Sequence, residues 1–178
     1  MRKALHMMGI LSERDMEWLI SHGQTKFAMA GSTVIQEGQH VNALFILLEG
    51  KFSVRASNEQ SREIATLYPG EILGEISFVD ARPPSASVVA VHDSQMFVVN
   101  AASLTDKLER DDGFAARFYR ALATFLADRL RATSGSLGYG KRPEDQKYDE
   151  DELDDSTLNH ASLAARRFDE MLKRLRIN

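Results

Sequence analysis

The sequence predicts an α+β fold in which a barrel or sandwich of short strands is flanked by helices. Two observations support this prediction. Over residues 25–99, short apolar or alternating runs are separated by glycines, as is typical of antiparallel strands joined by turns. On either side of this region, apolar residues recur at helical spacing, most clearly over residues 114–134.

Residues 1–22 are predicted to form the N-terminal helix. Ser12 is a candidate N-cap, and the acidic residues Glu13 and Asp15 follow it. Negative charge in a first turn is favoured by the exposed backbone N–H groups there. Gly23 is predicted to end this helix.

The strand region contains one run that is apolar on both faces and one that alternates. Residues 43–48 are predicted to be fully buried, and residues 51–57 to bury Phe52 and Val54 on one face. Glu49 and Gly50, between these runs, are predicted to form a tight hairpin turn. Further strands are predicted over residues 33–36, 62–68, 87–91 and 95–99.

Two helices are predicted after the strands. A short one begins at Asn100 or Ser103, and a long one spans residues 114–134 with Asp111 or Asp112 as its cap. One apolar stripe is enough to pack a helix on its own domain. The long helix has a second apolar stripe. This stripe indicates either that a partner covers it or that the helix is deeply buried in its own domain. The stripes are Phe114, Phe118, Ala121 and Phe125, and beside them Tyr119, Leu122, Leu126 and Leu130.

The last part of the chain is predicted to be an acidic linker, residues 136–155, and an amphipathic helix, residues 156–178. Residues 144–155 include eight Asp or Glu, a composition typical of a solvated segment. Ser156 is a candidate cap for the helix. The helix either packs back on its own domain or across a dimer, or it docks on a partner protein. Its predicted apolar face comprises Leu158, Leu163, Phe168, Met171, Leu172 and Leu175.

Residues 70–90 form the candidate ligand site. The stretch starts as a strand, breaks at Gly74 and continues from Glu75 as a short helix. A strand-to-helix junction presents backbone N–H groups that favour an anion. Glu75 can accept a hydrogen bond from a hydroxyl, and Ser85 and Ser87 offer further donors. The alternative is a β-bulge and a tight turn without a ligand.

The same stretch resembles the phosphate-binding cassette of the cyclic nucleotide-binding domain family. The resemblance is carried by Gly74 and Glu75 and by the later run PPSASVVA, residues 83–90. It implies an antiparallel β-roll flanked by helices, within a domain of residues 1–135. The family arginine that pairs with the cyclic phosphate falls on Pro84. The ligand-binding residues implied are Gly74, Glu75, Ile76, Ser77, Arg82, Pro84, Ser85, Ala86 and Ser87.

The end of the long helix carries a second part of the resemblance. The run RLRATS, residues 129–134, resembles the helix end of bacterial members, in which a threonine–serine pair contacts the base. This adds Thr133 and Ser134 to the implied binding residues. In those members the helix also builds the dimer interface and closes over the ligand. The resemblance therefore implies a homodimer through Phe114, Phe118, Leu122, Leu126 and Leu130.

Pro84 leaves three hypotheses open. The pocket binds a cyclic mononucleotide such as cAMP or cGMP weakly, or through Arg82 two residues upstream. It binds another ligand, such as a cyclic dinucleotide. Or it binds none, and the domain is a dimeric scaffold. The expected function is a sensor that passes ligand occupancy to an unknown partner protein, and the scaffold is the alternative.

Composition excludes several function classes. The chain has no cysteine, which rules out disulfides and thiolate metal sites, and its five histidines lack ligand spacing. We expect no DNA partner, because the net charge is −4 and the helix after the acidic linker cannot form a two-helix DNA-binding unit. No apolar run approaches a membrane span. We expect a cytoplasmic protein without catalytic residues, metal or cofactor.

Overall fold

The computed structural model describes residues 9–56, 63–136 and 155–175. Within these ranges the helices are α1 (Glu13–His22), α2 (Glu75–Asp80), α3 (Ala101–Arg110), α4 (Asp112–Ser136) and α5 (Asp155–Leu175). The strands are β1 (Gly23–Ala28), β2 (Thr33–Ile35), β3 (Ala43–Glu49), β4 (Phe52–Arg55), β5 (Glu63–Leu67), β6 (Ile72–Leu73), β7 (Ser87–Ala90) and β8 (Ser94–Asn100). The acidic run of residues 144–154, most of the predicted linker, lies outside the described residues.

The eight described strands form two four-stranded sheets in which every pairing is antiparallel. Sheet I has the order β1-β8-β3-β6, and sheet II has the order β2-β7-β4-β5. An apolar core lies between the sheets, and a second core lies between the outer face of sheet I and the helices. The predicted α+β class and the flanked β-roll are confirmed.

Strand β3 shows why residues 43–48 are apolar on both faces. Leu44, Ile46 and Leu48 contribute to the core beneath the helices, whereas Leu47 contributes to the core between the sheets. Alternating side chains of one strand point to opposite faces, so a strand between two cores is apolar throughout. The prediction of a buried strand is confirmed, although Ala43 and Phe45 are only partly buried.

The predicted hairpin at Glu49 and Gly50 is wrong. β3 and β4 belong to different sheets, and the turn carries the chain from one sheet to the other. Gly50 has φ +99°, and a Cβ there would lie 2.1 Å from Ser94 Oγ. A glycine turn signal gives the change of direction but not the strand partner, because the neighbours of β3 are set by distant residues on β8 and β6.

The N-terminal helix is interrupted where the sequence predicted continuity. Gly9 and Ile10 are helical, Leu11 and Ser12 are not, and α1 begins at Glu13. Ser12 is the N-cap as predicted, since its Oγ accepts a hydrogen bond from Asp15 N–H at 3.2 Å. Asp15 Oδ2 in turn accepts from Ser12 N–H at 2.7 Å.

Helix α4 is longer than predicted, and Asp111 caps it by accepting a hydrogen bond from Phe114 N–H at 2.8 Å. Its first apolar stripe is buried, but the second is divided: Leu122 is buried, whereas Tyr119 and Leu130 are 49% and 67% exposed. Three of the five predicted interface residues therefore fill the core of their own chain. These are Phe114, Phe118 and Leu122.

Helix α5 packs on its own domain through its described side chains. Phe168 and Met171 are buried in the core that also contains Leu11 and Met16. Arg167 Nη1 donates a hydrogen bond to the carbonyl oxygen of Leu11, just before α1. The prediction that this helix packs back is confirmed for these residues.

An ion pair joins α1 to α4. Arg117 donates two hydrogen bonds to Asp15, from Nε to Oδ2 at 2.6 Å and from Nη2 to Oδ1 at 2.9 Å. Burial alone would raise the pKa of Asp15, but the hydrogen bonds from Arg117 and Ser12 outweigh it and lower the pKa. The folded state therefore holds this carboxylate ionised to lower pH than the unfolded chain does.

We predict that Asp15→Asn lowers the free energy of unfolding at pH 7 by about 1–2 kcal/mol, because a bidentate charged contact is lost while Arg117 remains partly solvated. A carboxyl whose pKa is lowered by folding stabilises above its ordinary pKa and loses this effect as pH falls through the folded value. Denaturant unfolding between pH 7 and pH 2 should therefore give a shallower acid loss in Asp15→Asn.

Asp106→Asn is the matched control, since Asp106 pairs with Arg110 at an exposed position on α3. Its expected effect is below about 0.5 kcal/mol. Equal stability losses in the two variants, with parallel pH profiles, would contradict this role of Asp15.

Candidate functional site

A cavity of about 290 Å³ opens beside α2 and reaches the core between the sheets. Its inner wall is aliphatic and comes from strands of both sheets. Its rim is polar and comes from α2, the loop after it and α4. The aliphatic residues are Ile35, Val54, Leu67, Leu73, Ala86 and Val88, and the polar ones are Glu75, Ser77, Asp80, Arg82, Ser85 and Arg129.

Gly74 sets the sharp entry into α2. It has φ +81°, and a Cβ there would lie 2.7 Å from the carbonyl oxygen of Ala43. Its carbonyl oxygen accepts a hydrogen bond from Phe78 N–H at 3.0 Å, which forms the first helical turn. The Phe78 ring packs edge-on against Phe118 of α4, with 6.1 Å between ring centroids. This contact fixes α2 so that Glu75 points inward.

Glu75 is the most buried polar residue of the cavity, with 2% of its surface exposed. Its carboxylate accepts a hydrogen bond from Arg129 Nη1, and the two form an ion pair. Burial raises the pKa of Glu75, and the neighbouring guanidinium only partly offsets this rise. Arg129 also lies over the Phe125 ring, 5.8 Å from its centroid.

The loop after α2 forms the outer rim. The Arg82 side chain is exposed, and its backbone N–H donates to Asp80 Oδ1 at 3.0 Å. The carbonyl oxygen of Pro84 accepts from Gly38 N–H at 2.9 Å, which fastens the loop to the segment after β2. Ser85 lies next to this fastening point and lines the cavity.

Eight of the predicted binding residues line this cavity, together with residues that the sequence did not predict. Those that line it are Gly74, Glu75, Ile76, Ser77, Arg82, Pro84, Ser85 and Ala86. The missed residues include Arg129 and Asp80. Arg129 is part of the helix-end motif, but its pairing with a carboxylate 54 positions earlier appears only in the fold.

Ser87 and Thr133 lie outside the lining. Ser87 Oγ instead accepts a hydrogen bond from Glu37 N–H at 3.0 Å, because the alternation along β7 turns it away from the cavity. Thr133 is exposed, and its Oγ donates to the carbonyl oxygen of Arg129 at 2.9 Å. The predicted role of Ser134 concerns a side chain outside those described.

The described side chains contain no group of three His, Asp or Glu that could hold a metal ion. Within the same ranges, no helix is both long and apolar enough to cross a bilayer.

Comparisons with known proteins identify the family of the domain that contains this cavity. Residues 25–111 match the family model of the cyclic nucleotide-binding domain. The chain is 30% identical over 114 residues to the Pycsar effector protein XpPycTIR of Xanthomonas perforans, which covers 64% of this chain. It is 29% identical over 123 residues to the cyclic AMP receptor protein of Thermus thermophilus, covering 68% of this chain. The matches span only 37% and 55% of those two proteins.

Solved structures agree in fold. A cyclic nucleotide-binding domain from Methylobacillus flagellatus superposes with a TM-score of 0.68 at 24% identity, covering 74% of this chain and 75% of that one. The catabolite activator protein of Thermus thermophilus gives 0.60 at 21% identity, covering 93% and 84%. With the cassette, the β-roll and the matched residues in agreement, this chain belongs to the cyclic nucleotide-binding domain family through its residues 25–111.

Proposed function

We propose that the protein is a non-enzymatic sensor that binds a cyclic nucleotide in this cavity and signals to a partner protein through α4. The observation that carries the proposal is the ion pair between Glu75 and Arg129. A hydrogen-bond acceptor from the cassette and a cation from α4 thus meet in the lining of the cavity, which supports the proposal that a sugar phosphate binds there. The aliphatic inner wall offers an apolar surface to the rest of such a ligand.

Arg129 is the proposed replacement for the arginine that is absent at Pro84. An exposed arginine such as Arg82 attracts an anion only through a field that water and salt screen. Arg129 is 31% exposed in its side chain and is held by both Glu75 and Phe125. A guanidinium that is already positioned loses less conformational freedom when it binds a phosphate.

The proposed signal travels along α4, because this helix contacts both the cavity and α1. Arg129 contacts Glu75 near one end of the helix, and Arg117 contacts Asp15 of α1 near the other. A ligand that changes the position of Arg129 therefore acts on a helix that also holds α1 in place.

The alternative function is a ligand-free dimeric scaffold of the same fold. The observation that favours it is Pro84, which stands where the family has the arginine that pairs with the phosphate.

Calorimetric titration with cAMP, cGMP and cyclic dinucleotides distinguishes the sensor from the scaffold. We expect wild type to bind one of them with micromolar to millimolar affinity. Pro84→Arg should bind about tenfold or more tightly, since a charged hydrogen bond to phosphate is regained. Absence of binding by wild type at millimolar ligand would overturn the sensor and favour the scaffold.

We predict that Arg129→Gln weakens nucleotide binding by about tenfold to a hundredfold, because a charge-assisted hydrogen bond to the phosphate is lost. Arg82→Gln should weaken it by about fivefold at most, and added salt should erase that difference.

Arg131→Gln is the control for these titrations, since Arg131 lies on the same helix and pairs with Asp128 at an exposed position. It should leave the affinity unchanged. A larger loss in Arg82→Gln than in Arg129→Gln would assign the phosphate to Arg82.

We also propose that the protein forms a homodimer through the part of the second stripe that is not buried, namely the exposed Tyr119 and Leu130 and the partly exposed Leu126 between them. These residues are seven and four positions apart and share one side of α4. Leu130→Glu should convert a dimer into a monomer in light scattering at micromolar concentration, because a charge would be buried in an apolar contact. Ile64→Glu on β5, 61% exposed in wild type, should leave the dimer intact. A monomeric wild type would contradict the proposal.

A further inference from the structure

We infer that the pocket takes its anionic ligand together with one proton, which Glu75 accepts when the ligand draws Arg129 away from it. This inference rests on the proposed function, since it concerns the same ligand in the same cavity. It follows from the charges around the cavity and from the burial of Glu75.

The described lining of the cavity is balanced in charge. It contains two acids, Glu75 and Asp80, and two bases, Arg82 and Arg129. The family arginine that would add a positive charge is replaced by Pro84. A cyclic phosphate carries one negative charge, so its entry leaves the cavity with one negative charge in excess unless a cation or a proton enters too.

Glu75 is the acid that is least able to remain ionised after ligand entry. Asp80 is exposed, so water solvates its carboxylate. Glu75 is 2% exposed, and among the described residues Arg129 is the cation that contacts it. When a phosphate takes the guanidinium, the Glu75 carboxylate is left desolvated and without its counterion. A buried carboxylate in that position is neutralised by a proton.

The other charged groups around Glu75 do not replace Arg129. Glu71, before β6, is an acid whose charge acts in the same direction as burial. Asp80 on α2 adds negative charge to the same cavity, and Arg82 on the loop is exposed, so water screens its charge from Glu75. Burial already raises the pKa of Glu75 while Arg129 is in contact, so removal of that contact raises it further.

The step moves one proton from solvent to a Glu75 carboxylate oxygen and changes no bond in the ligand. A protonated carboxyl group both donates and accepts a hydrogen bond, whereas a carboxylate only accepts. Protonated Glu75 would thus still form a hydrogen bond with a ligand hydroxyl, while Arg129 supplies the positive charge opposite the phosphate.

Calorimetry with cAMP measures the proton directly. Titrations at one pH in HEPES and in Tris, two buffers with different ionisation enthalpies and no phosphate group to compete for the site, give the number of protons taken up. We expect uptake approaching one proton for wild type, with affinity falling up to about tenfold for each unit of pH above the pKa of Glu75 in the free protein. The cyclic phosphate stays a monoanion between pH 6 and pH 8.

Two variants identify the residue that takes up the proton. Glu75→Gln resembles protonated Glu75 in shape and charge, so it should bind with no proton uptake, with affinity independent of pH, and more tightly than wild type at pH 8. Asp80→Asn removes an acid of the same cavity that makes no contact with Arg129, and it should keep the proton uptake of wild type. Thermal unfolding of each variant verifies that it is folded.

The outcomes are distinct. Binding by wild type without proton uptake, or equal uptake in Glu75→Gln, would overturn this inference and leave the proposed function standing. Loss of affinity in folded Glu75→Gln at every pH would also overturn it, because the site would then need the carboxylate. Absence of binding by wild type between pH 6 and pH 8 would overturn both.

Discussion

The ion pair between Glu75 and Arg129 joins the cavity to the helical layer of the molecule. Of the ion pairs described, three join residues only three or four positions apart. The other two join distant elements, and both come from α4: Arg129 reaches α2 and Arg117 reaches α1. Each is formed with a carboxylate that is almost fully buried. The position of α4 is therefore tied to the state of the cavity.

Two properties make these pairs effective constraints. A buried carboxylate that loses its partner is strongly destabilised, so each pair resists separation. The two arginines are twelve residues apart on a continuous helix, which corresponds to about 18 Å along its axis. Between them the helix is packed by Phe118, Ala121, Leu122 and Phe125. The proposed signal therefore runs along a helix that is packed between its two anchored arginines, from Arg129 at the cavity to Arg117 at α1.

The same core explains the place of α5. Phe168 and Met171 complete the apolar layer that α1 and α4 share. In the proposed route, a shift of α4 would reach the contact between α1 and α5, where Arg167 donates a hydrogen bond to the carbonyl oxygen of Leu11. The proposed route from ligand to partner ends at this helix pair.

Local patterns in the sequence predicted most of the helices and strands. They predicted less well which distant strands and helices pair with each other. Gly50 and Gly74 marked changes of chain direction, and the alternation along the strands marked buried faces, because both depend on neighbouring residues. The sheet to which β4 belongs could not be read from Glu49 and Gly50, since its partners are β5 and β7. Periodicity identifies an apolar stripe of α4 without identifying what covers it, so the sequence could not show that Leu122 is buried in its own domain while Tyr119 and Leu130 are exposed.

In the candidate site, too, the residues on one continuous stretch were predicted, whereas a contact between distant elements was not. The cassette motif placed eight residues at the cavity, because they lie on one continuous stretch with a fixed turn at Gly74. Ser87 lies outside the lining because the alternation of β7 turns it away from the cavity, and its Oγ accepts a hydrogen bond from the backbone N–H of Glu37, just after β2 of the same sheet. Arg129 was missed because its contact with Glu75 requires α4 to fold back over α2.

A crystal structure of the protein grown with millimolar cAMP tests the central claim most directly. We expect nucleotide density in the cavity beside α2, with the cyclic phosphate in contact with Arg129 and a ribose hydroxyl in contact with Glu75. An empty cavity with the Glu75–Arg129 pair unchanged, or a nucleotide whose phosphate contacts Arg82 alone, would contradict it.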